Sequence, residues 1–243
     1  MSQPEGDNQQ EEHSGDEFLD TNHLKGDLGE RGVKGGVIQS FAQAGKSVVE
    51  IVSILALARL LTPEDFGLLG MVVSVTGFLA MFKDLGLSMA TIQREELTHR
   101  QVSALFWINL GLSVTLMAII AGLAPVLAWF YNEPRLLEIT LVFAGTFLFS
   151  GMAVQHMAIL KRQMRFEAVA GIEVTALVVS VSPAIGMAAY FSQADMTEFG
   201  YWALVTKTIL NYIVVAAGVW LLCGWRPGGP AWDEQIKELV TFG

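Results

Sequence analysis

Apolar residues along this chain fall in blocks of about 20, separated by short polar joints, and about 20 residues at 1.5 Å rise cross the hydrocarbon layer of a bilayer. Six such blocks predict helices over about 36–61, 66–82, 106–131, 136–160, 168–191 and 201–223. The joints Thr62-Pro63-Glu64-Asp65 and Asn132-Glu133-Pro134-Arg135 each hold a proline, which stops one helix and starts the next. The fold class expected is an all-α integral membrane protein whose six-transmembrane-helix lobe occupies residues 36–228.

One block departs from uniform apolarity. In the first helix Gln39, Gln43, Lys46, Glu50 and Ser53 recur at spacings of 4, 3, 4 and 3, which places all five on one helix face. Val48, Val49, Ile51, Val52, Ile54 and Leu55 cover the other faces. A lone charge at mid-bilayer costs about 2.5–3.5 kcal/mol on insertion scales, so the stripe should face protein or water. Two readings fit: a stripe lining a water-filled cavity, or a self-neutralising Lys46–Glu50 pair four residues apart. The cavity also accounts for both glutamines. Lys207 and Asn211 make a second polar patch on the sixth helix, where snorkelling of the lysine to the surface competes with a cavity role. Glu173, near the inner end of the fifth helix, reads as a solvated terminus.

Composition agrees with the pattern: 52% hydrophobic and 16% charged residues, with a mean hydropathy of +0.46, against about 25% charged in soluble domains. The net charge of −9 is concentrated at the front. Residues 1–35 carry nine acids and three bases and no apolar run, which predicts a disordered, solvated acidic cytoplasmic tail and no signal peptide. Eleven lysines and arginines fall on the segments that are inner if the N-terminus is inside, against Arg135 alone on the outer joints. That asymmetry puts both ends of the lobe in the cytoplasm.

Enzyme and metal motifs do not emerge. Ala44-Gly45-Lys46-Ser47 resembles the end of a P-loop, but Ser40 stands where the first glycine is needed, within an apolar helix. His156 lacks a second ligand at metal-binding spacing, and Cys223 is the only cysteine. No metal, cofactor, nucleic-acid partner or catalytic activity is expected. An internal echo links Thr62-Pro63-Glu64-Asp65-Phe66-Gly67, before the second helix, with Met196-Thr197-Glu198-Phe199-Gly200, before the sixth; internal repeats are common in transporters.

The segment Leu57-Ala58-Arg59-Leu60-Leu61-Thr62-Pro63-Glu64-Asp65-Phe66-Gly67 resembles the signature of polysaccharide flippases. These are the lipopolysaccharide, O-antigen and exopolysaccharide exporters of the multidrug/oligosaccharidyl-lipid/polysaccharide superfamily. Asp84-Leu85-Gly86-Leu87-Ser88, Ile92-Gln93-Arg94, Phe106-Trp107, Gln155-His156, Arg165-Phe166, Tyr201-Trp202-Ala203-Leu204-Val205 and Gly224-Trp225-Arg226-Pro227 follow in order, covering about residues 30–228. The resemblance implies two helical lobes around a cavity open alternately to each side. It also implies a cargo of undecaprenyl-pyrophosphate-linked oligosaccharide, residence in the bacterial inner membrane, and work beside membrane lipids, a polysaccharide polymerase and glycosyltransferases. Gln39, Gln43, Lys46, Glu50, Ser53, Lys207 and Asn211 are then the lumen candidates, in a cationic or polar lumen. Arg59, Pro63, Phe66, Gly67, Asp84 and Gly86 are family-motif residues with structural roles. Residues 229–243 read as a cytoplasmic linker and the start of a truncated seventh helix, so the chain corresponds to the N-terminal half of a longer transporter; a dimerising half-transporter is the alternative. A cation-coupled multidrug exporter of the same superfamily, or a non-transporting scaffold of a polysaccharide synthesis complex, are the alternative functions.

Overall fold

The computed structural model describes residues 28–81 and 98–229, without the side chains of 28–35 and 38. The six helices are α1 (Leu28–Leu60), α2 (Pro63–Ala80), α3 (His99–Phe130), α4 (Arg135–Arg162), α5 (Phe166–Gln193) and α6 (Tyr201–Cys223), with a 3₁₀ turn at Thr197–Phe199 before α6. Each helix is long and apolar enough to cross a membrane, and the chain is a multi-pass membrane protein. The acidic tail before residue 28, Asp84, Gly86 and the expected seventh helix lie outside the described residues.

Two helix starts differ from the apolar runs. The backbone of α1 is helical from Leu28, eight residues before the boundary drawn from hydropathy at Gly36. Helix α3 begins at His99 rather than near Phe106, because Thr98 and Gln101 form a capping box: each side chain accepts from the other's backbone N–H. Hydropathy marks where a helix becomes apolar, whereas caps mark where it begins.

Helix α2 begins where its sequence motif places it. Asp65 N–H donates to the Thr62 hydroxyl (3.3 Å) and Thr62 N–H donates to the Asp65 carboxylate (2.8 Å), closing a second capping box with Pro63 at the first helical position. This cap meets the other half of the sequence echo. A Cβ on Gly200 would lie 2.8 Å from Asp65 Oδ2 and 3.0 Å from Leu61 Cδ2, so the start of α6 packs against the α1–α2 corner only with glycine there. The Arg135 side chain hydrogen-bonds both Glu133 and Glu64, tying α4 to α2 at the same end. The guanidinium holds the Glu133 carboxyl below its usual range.

Three joints share one exit. Asn132, Met164 and Asp195 have φ of 53°, 54° and 57°, and the N–H groups of Glu133, Arg165 and Met196 reach back to Ala128, Leu160 and Phe191. This is the Schellman arrangement: one left-handed residue reverses the chain while satisfying the last carbonyls. Asn and Asp adopt that conformation readily; Met164 pays steric strain for it.

The opposite end of the bundle is closed by the segment after α6. Gly224 turns left-handed at φ 71°, and Trp225 then donates to His99 Nδ1 (3.1 Å). The Gly228 N–H donates to the Ser103 hydroxyl (2.9 Å), and the Trp107 indole donates to the Gly228 carbonyl (2.8 Å). His156, fully buried, stacks on Trp220 with ring centroids 4.4 Å apart and meets Phe106 and Trp225 edge-on. It is a packed histidine. Contacts at these two ends, one built from residues 61–65, 133–135 and 200 and the other from 99–107, 165 and 222–228, show that successive helices run in opposite directions.

Candidate functional site: a polar cleft beside α1

Helix α1 stands at the edge of the lobe. Only 11% of its span is buried, against 44% for α4, and it leans chiefly on α5. Its lean on α5 leaves a gap toward α2 and α6. That gap is a cleft of about 470 Å³, lined on α1 by Lys46, Glu50, Ile54 and Leu57 and on α6 by Leu204, Lys207, Thr208, Asn211 and Tyr212. Phe66 and Leu69 of α2 and Leu177 of α5 complete its wall.

The polar stripe is turned toward these helices. Lys46 Nζ lies 3.3 Å from the Glu173 carboxylate on α5, with 27% and 23% of the two side chains exposed. Lys46 is about 21 Å from the outer end of α1 at 1.5 Å per residue, well inside a layer about 30 Å thick. Further out, Lys207 donates to the Ser53 hydroxyl (3.3 Å), which itself donates to the Glu50 carbonyl (2.8 Å). Ser53 and Lys207 each sit about 10 Å from the outer ends of their helices by the same rise. Antiparallel α1 and α6 thus bring two polar groups to one depth. Lys207 does not snorkel: its ammonium turns into the cleft.

Of the sequence candidates, Lys46, Glu50, Lys207 and Asn211 line the cleft, and Ser53, 2% exposed, backs it. Gln43 and Gln39 lie one and two turns further in and do not line it; the Gln39 amide oxygen is enclosed without a hydrogen-bond partner among the described residues, while Gln43 is exposed. The self-paired Lys46–Glu50 reading gives way to an interhelical pair. Lysine before glutamate is the weaker order within a helix, and Glu173 offers Lys46 a partner on a helix already packed against α1. Glu50 makes no ion pair among the described residues.

The described family-motif residues fall at the end of α1 and the start of α2. Phe66 lines the cleft, Pro63 starts α2, and Arg59 lies in the last turn of α1, where a cation suits the helix dipole. A Cβ on Gly67 would meet nothing within 4 Å, so packing does not explain that glycine. Sequence reading passed over Thr208 and Tyr212, although Lys207, Thr208, Asn211 and Tyr212 at spacings of 1, 3 and 1 form one helix face. Among the described residues no group of three His, Cys, Asp or Glu side chains could hold a metal ion.

Six helices apolar enough to cross a membrane, with charged side chains lining a cleft between them, define a multi-pass membrane protein. A family model described as polysaccharide biosynthesis protein matches residues 56–243, and the chain belongs to that family. The teichuronic acid biosynthesis protein TuaB of Bacillus subtilis (strain 168) is 33% identical over 199 residues, covering 81% of this chain and 40% of that protein. The lipopolysaccharide biosynthesis protein WzxC of Escherichia coli (strain K12) is 24% identical over 199 residues, covering 79% of this chain and 38% of its own length. The succinoglycan biosynthesis transport protein ExoT of Rhizobium meliloti (strain 1021) is 25% identical over 204 residues, covering 83% and 39%. The chain spans about two fifths of the length of these relatives. No solved structure matches.

Proposed function

We propose that the intact protein carries a lipid-linked oligosaccharide of the undecaprenyl-pyrophosphate type across the bacterial cytoplasmic membrane by alternating access, for surface polysaccharide biosynthesis. The observation that carries this reading is the cleft: ionisable and amide side chains from α1 and α6 held together within the apolar layer. Charged residues inside a membrane are costly and mark transport routes, and a glycan needs hydrogen-bonding groups to replace water during its crossing. Family membership and relatives named for polysaccharide biosynthesis and transport support the same cargo class. In this reading residues 36–228 form one lobe of the carrier, and Lys46, Glu50, Ser53, Lys207 and Asn211 form part of its lumen wall. Gln39 and Gln43 continue that wall toward the cytoplasm. The protein performs no covalent chemistry on its cargo. Its neighbours are membrane lipids and the polymerase and glycosyltransferases that consume and supply the lipid-linked glycan.

The test is a flipping assay with the intact protein in vesicles and a labelled lipid-linked oligosaccharide. Wild type moves label between leaflets, and Lys207→Ala, inserted at the same level, loses most of that movement. Wild-type protein that leaves the label where it began contradicts the proposal.

A further inference from the structure

We infer that the cleft receives the uncharged, hydroxyl-rich part of the cargo, and that Glu50 is the residue that sets its preference against an anionic sugar or a phosphate. This inference rests on the proposed transport of a glycan and specifies which part of it the cleft contacts.

The charges around the cleft cancel. Lys46, Glu50 and Lys207 are the charged groups on its described wall, and Lys46 is already neutralised by Glu173 at 3.3 Å. That leaves one carboxylate and one ammonium. The Lys207 ammonium is held by a neutral hydroxyl, that of Ser53, and Glu50 makes no ion pair among the described residues. A phosphate or uronate entering this site would gain from Lys207 and lose to Glu50, after giving up its hydration in a medium of low dielectric. A sugar hydroxyl meets no such conflict, because it both donates and accepts. Glu50 and the Asn211 carbonyl oxygen can accept from it; Lys207 and the Asn211 amide nitrogen can donate to it. The Tyr212 and Phe66 rings and the aliphatic wall at Ile54 and Leu57 suit the C–H faces of a pyranose. The cleft volume of about 470 Å³ falls in the range of small-ligand sites, about 300–1,000 Å³.

Octyl glucoside and octyl glucuronide, alike except for one carboxylate, separate the alternatives in titrations below their micellar concentrations. The intact protein is held in nanodiscs. Wild type binds the glucoside more tightly. Glu50→Gln moves the affinity ratio about tenfold toward the glucuronide, the scale of one unit charge acting over about 12 Å at an effective dielectric of roughly 20. Glu50→Asp keeps the wild-type ratio, and Lys207→Gln moves it further against the glucuronide. Tighter glucuronide binding by wild type overturns the neutral-glycan assignment. An unchanged ratio in Glu50→Gln overturns the role of Glu50, whether or not Lys207→Gln moves it. Failure of wild type to bind either glycoside saturably overturns the glycan-transport reading itself.

Discussion

Lys46 and Glu173 are 127 residues apart in sequence and 3.3 Å apart in the fold, where they join α1 to α5. Helix α1 also packs along α5 and meets α6 through Leu57, Leu61 and the Lys207–Ser53 hydrogen bond; to these holds the pair adds the neutralisation of two charges inside the membrane layer. Removing one partner leaves an uncompensated charge that is about three-quarters enclosed. Lys46→Ala or Glu173→Ala should each destabilise the protein by about 2 kcal/mol, below the 3–5 kcal/mol of a fully buried pair because some exposure remains. The double variant should recover part of that loss, and so should the exchange Lys46→Glu with Glu173→Lys. Thermal unfolding in nanodiscs, arranged as a double-mutant cycle, measures it; strictly additive single effects would show that the pair does not couple.

The corner joining α1, α2 and α6 is predicted to be sensitive to a single methyl group. Gly200→Ala places a Cβ against an Asp65 carboxylate that the Thr62 cap holds fixed, and should cost about 1–3 kcal/mol, the usual range for overpacking. Asp65→Ala should lose about 1 kcal/mol from the missing cap. In a Gly200→Ala, Asp65→Ala double variant the clash with the carboxylate is gone and only the 3.0 Å approach to Leu61 Cδ2 remains, so the combined loss should be smaller than the sum of the two.

At the other end, Trp225 both fills the box around His156 and donates to His99. Trp225→Ala should cost about 3–5 kcal/mol, as for other buried aromatic truncations. Trp225→Phe, which removes the donor and three ring atoms but keeps most of the aromatic volume, should cost less, about 1–2 kcal/mol. Equal losses from both would place the stabilisation in the hydrogen bond instead of the packing.

The six spans and the stripe on α1 were legible in the sequence because both are local periodicities, one of length and one of helix turn. The range of α6 follows directly from its apolar run. The partner of Lys46 was not legible, since Glu173 lies near the end of its own apolar run and reads alone as a solvated terminus; only the packing of α1 on α5 joins them. The depth match of Ser53 with Lys207 also needs the antiparallel arrangement of α1 and α6. The start of α3 at His99 was hidden for a different reason: Thr98 and Gln101 form a cap in a polar stretch that hydropathy passes over. The echo of Thr62–Gly67 in Thr197–Gly200 was visible as a repeat, but its contact across Gly200 and Asp65 was not. The two copies also differ locally, because Thr62 caps its helix with its side chain while Thr197 opens a 3₁₀ turn whose residue before it makes no side-chain cap.

Water at the stripe is the condition for any polar cargo to pass along it. Single cysteines at Gln43, Glu50, Ser53 and Asn211, in the intact protein with the buried Cys223 replaced by alanine, can be titrated with a membrane-impermeant thiol reagent. Cysteines at Val48 and Val52 on the apolar face serve as controls. The cleft predicts fast labelling at Glu50 and Asn211, slower labelling at the enclosed Ser53, and none at Val48 and Val52. Cysteines at Gln43, Glu50 and Asn211 that stay as inert as those at Val48 and Val52, with reagent supplied from either side, would contradict it.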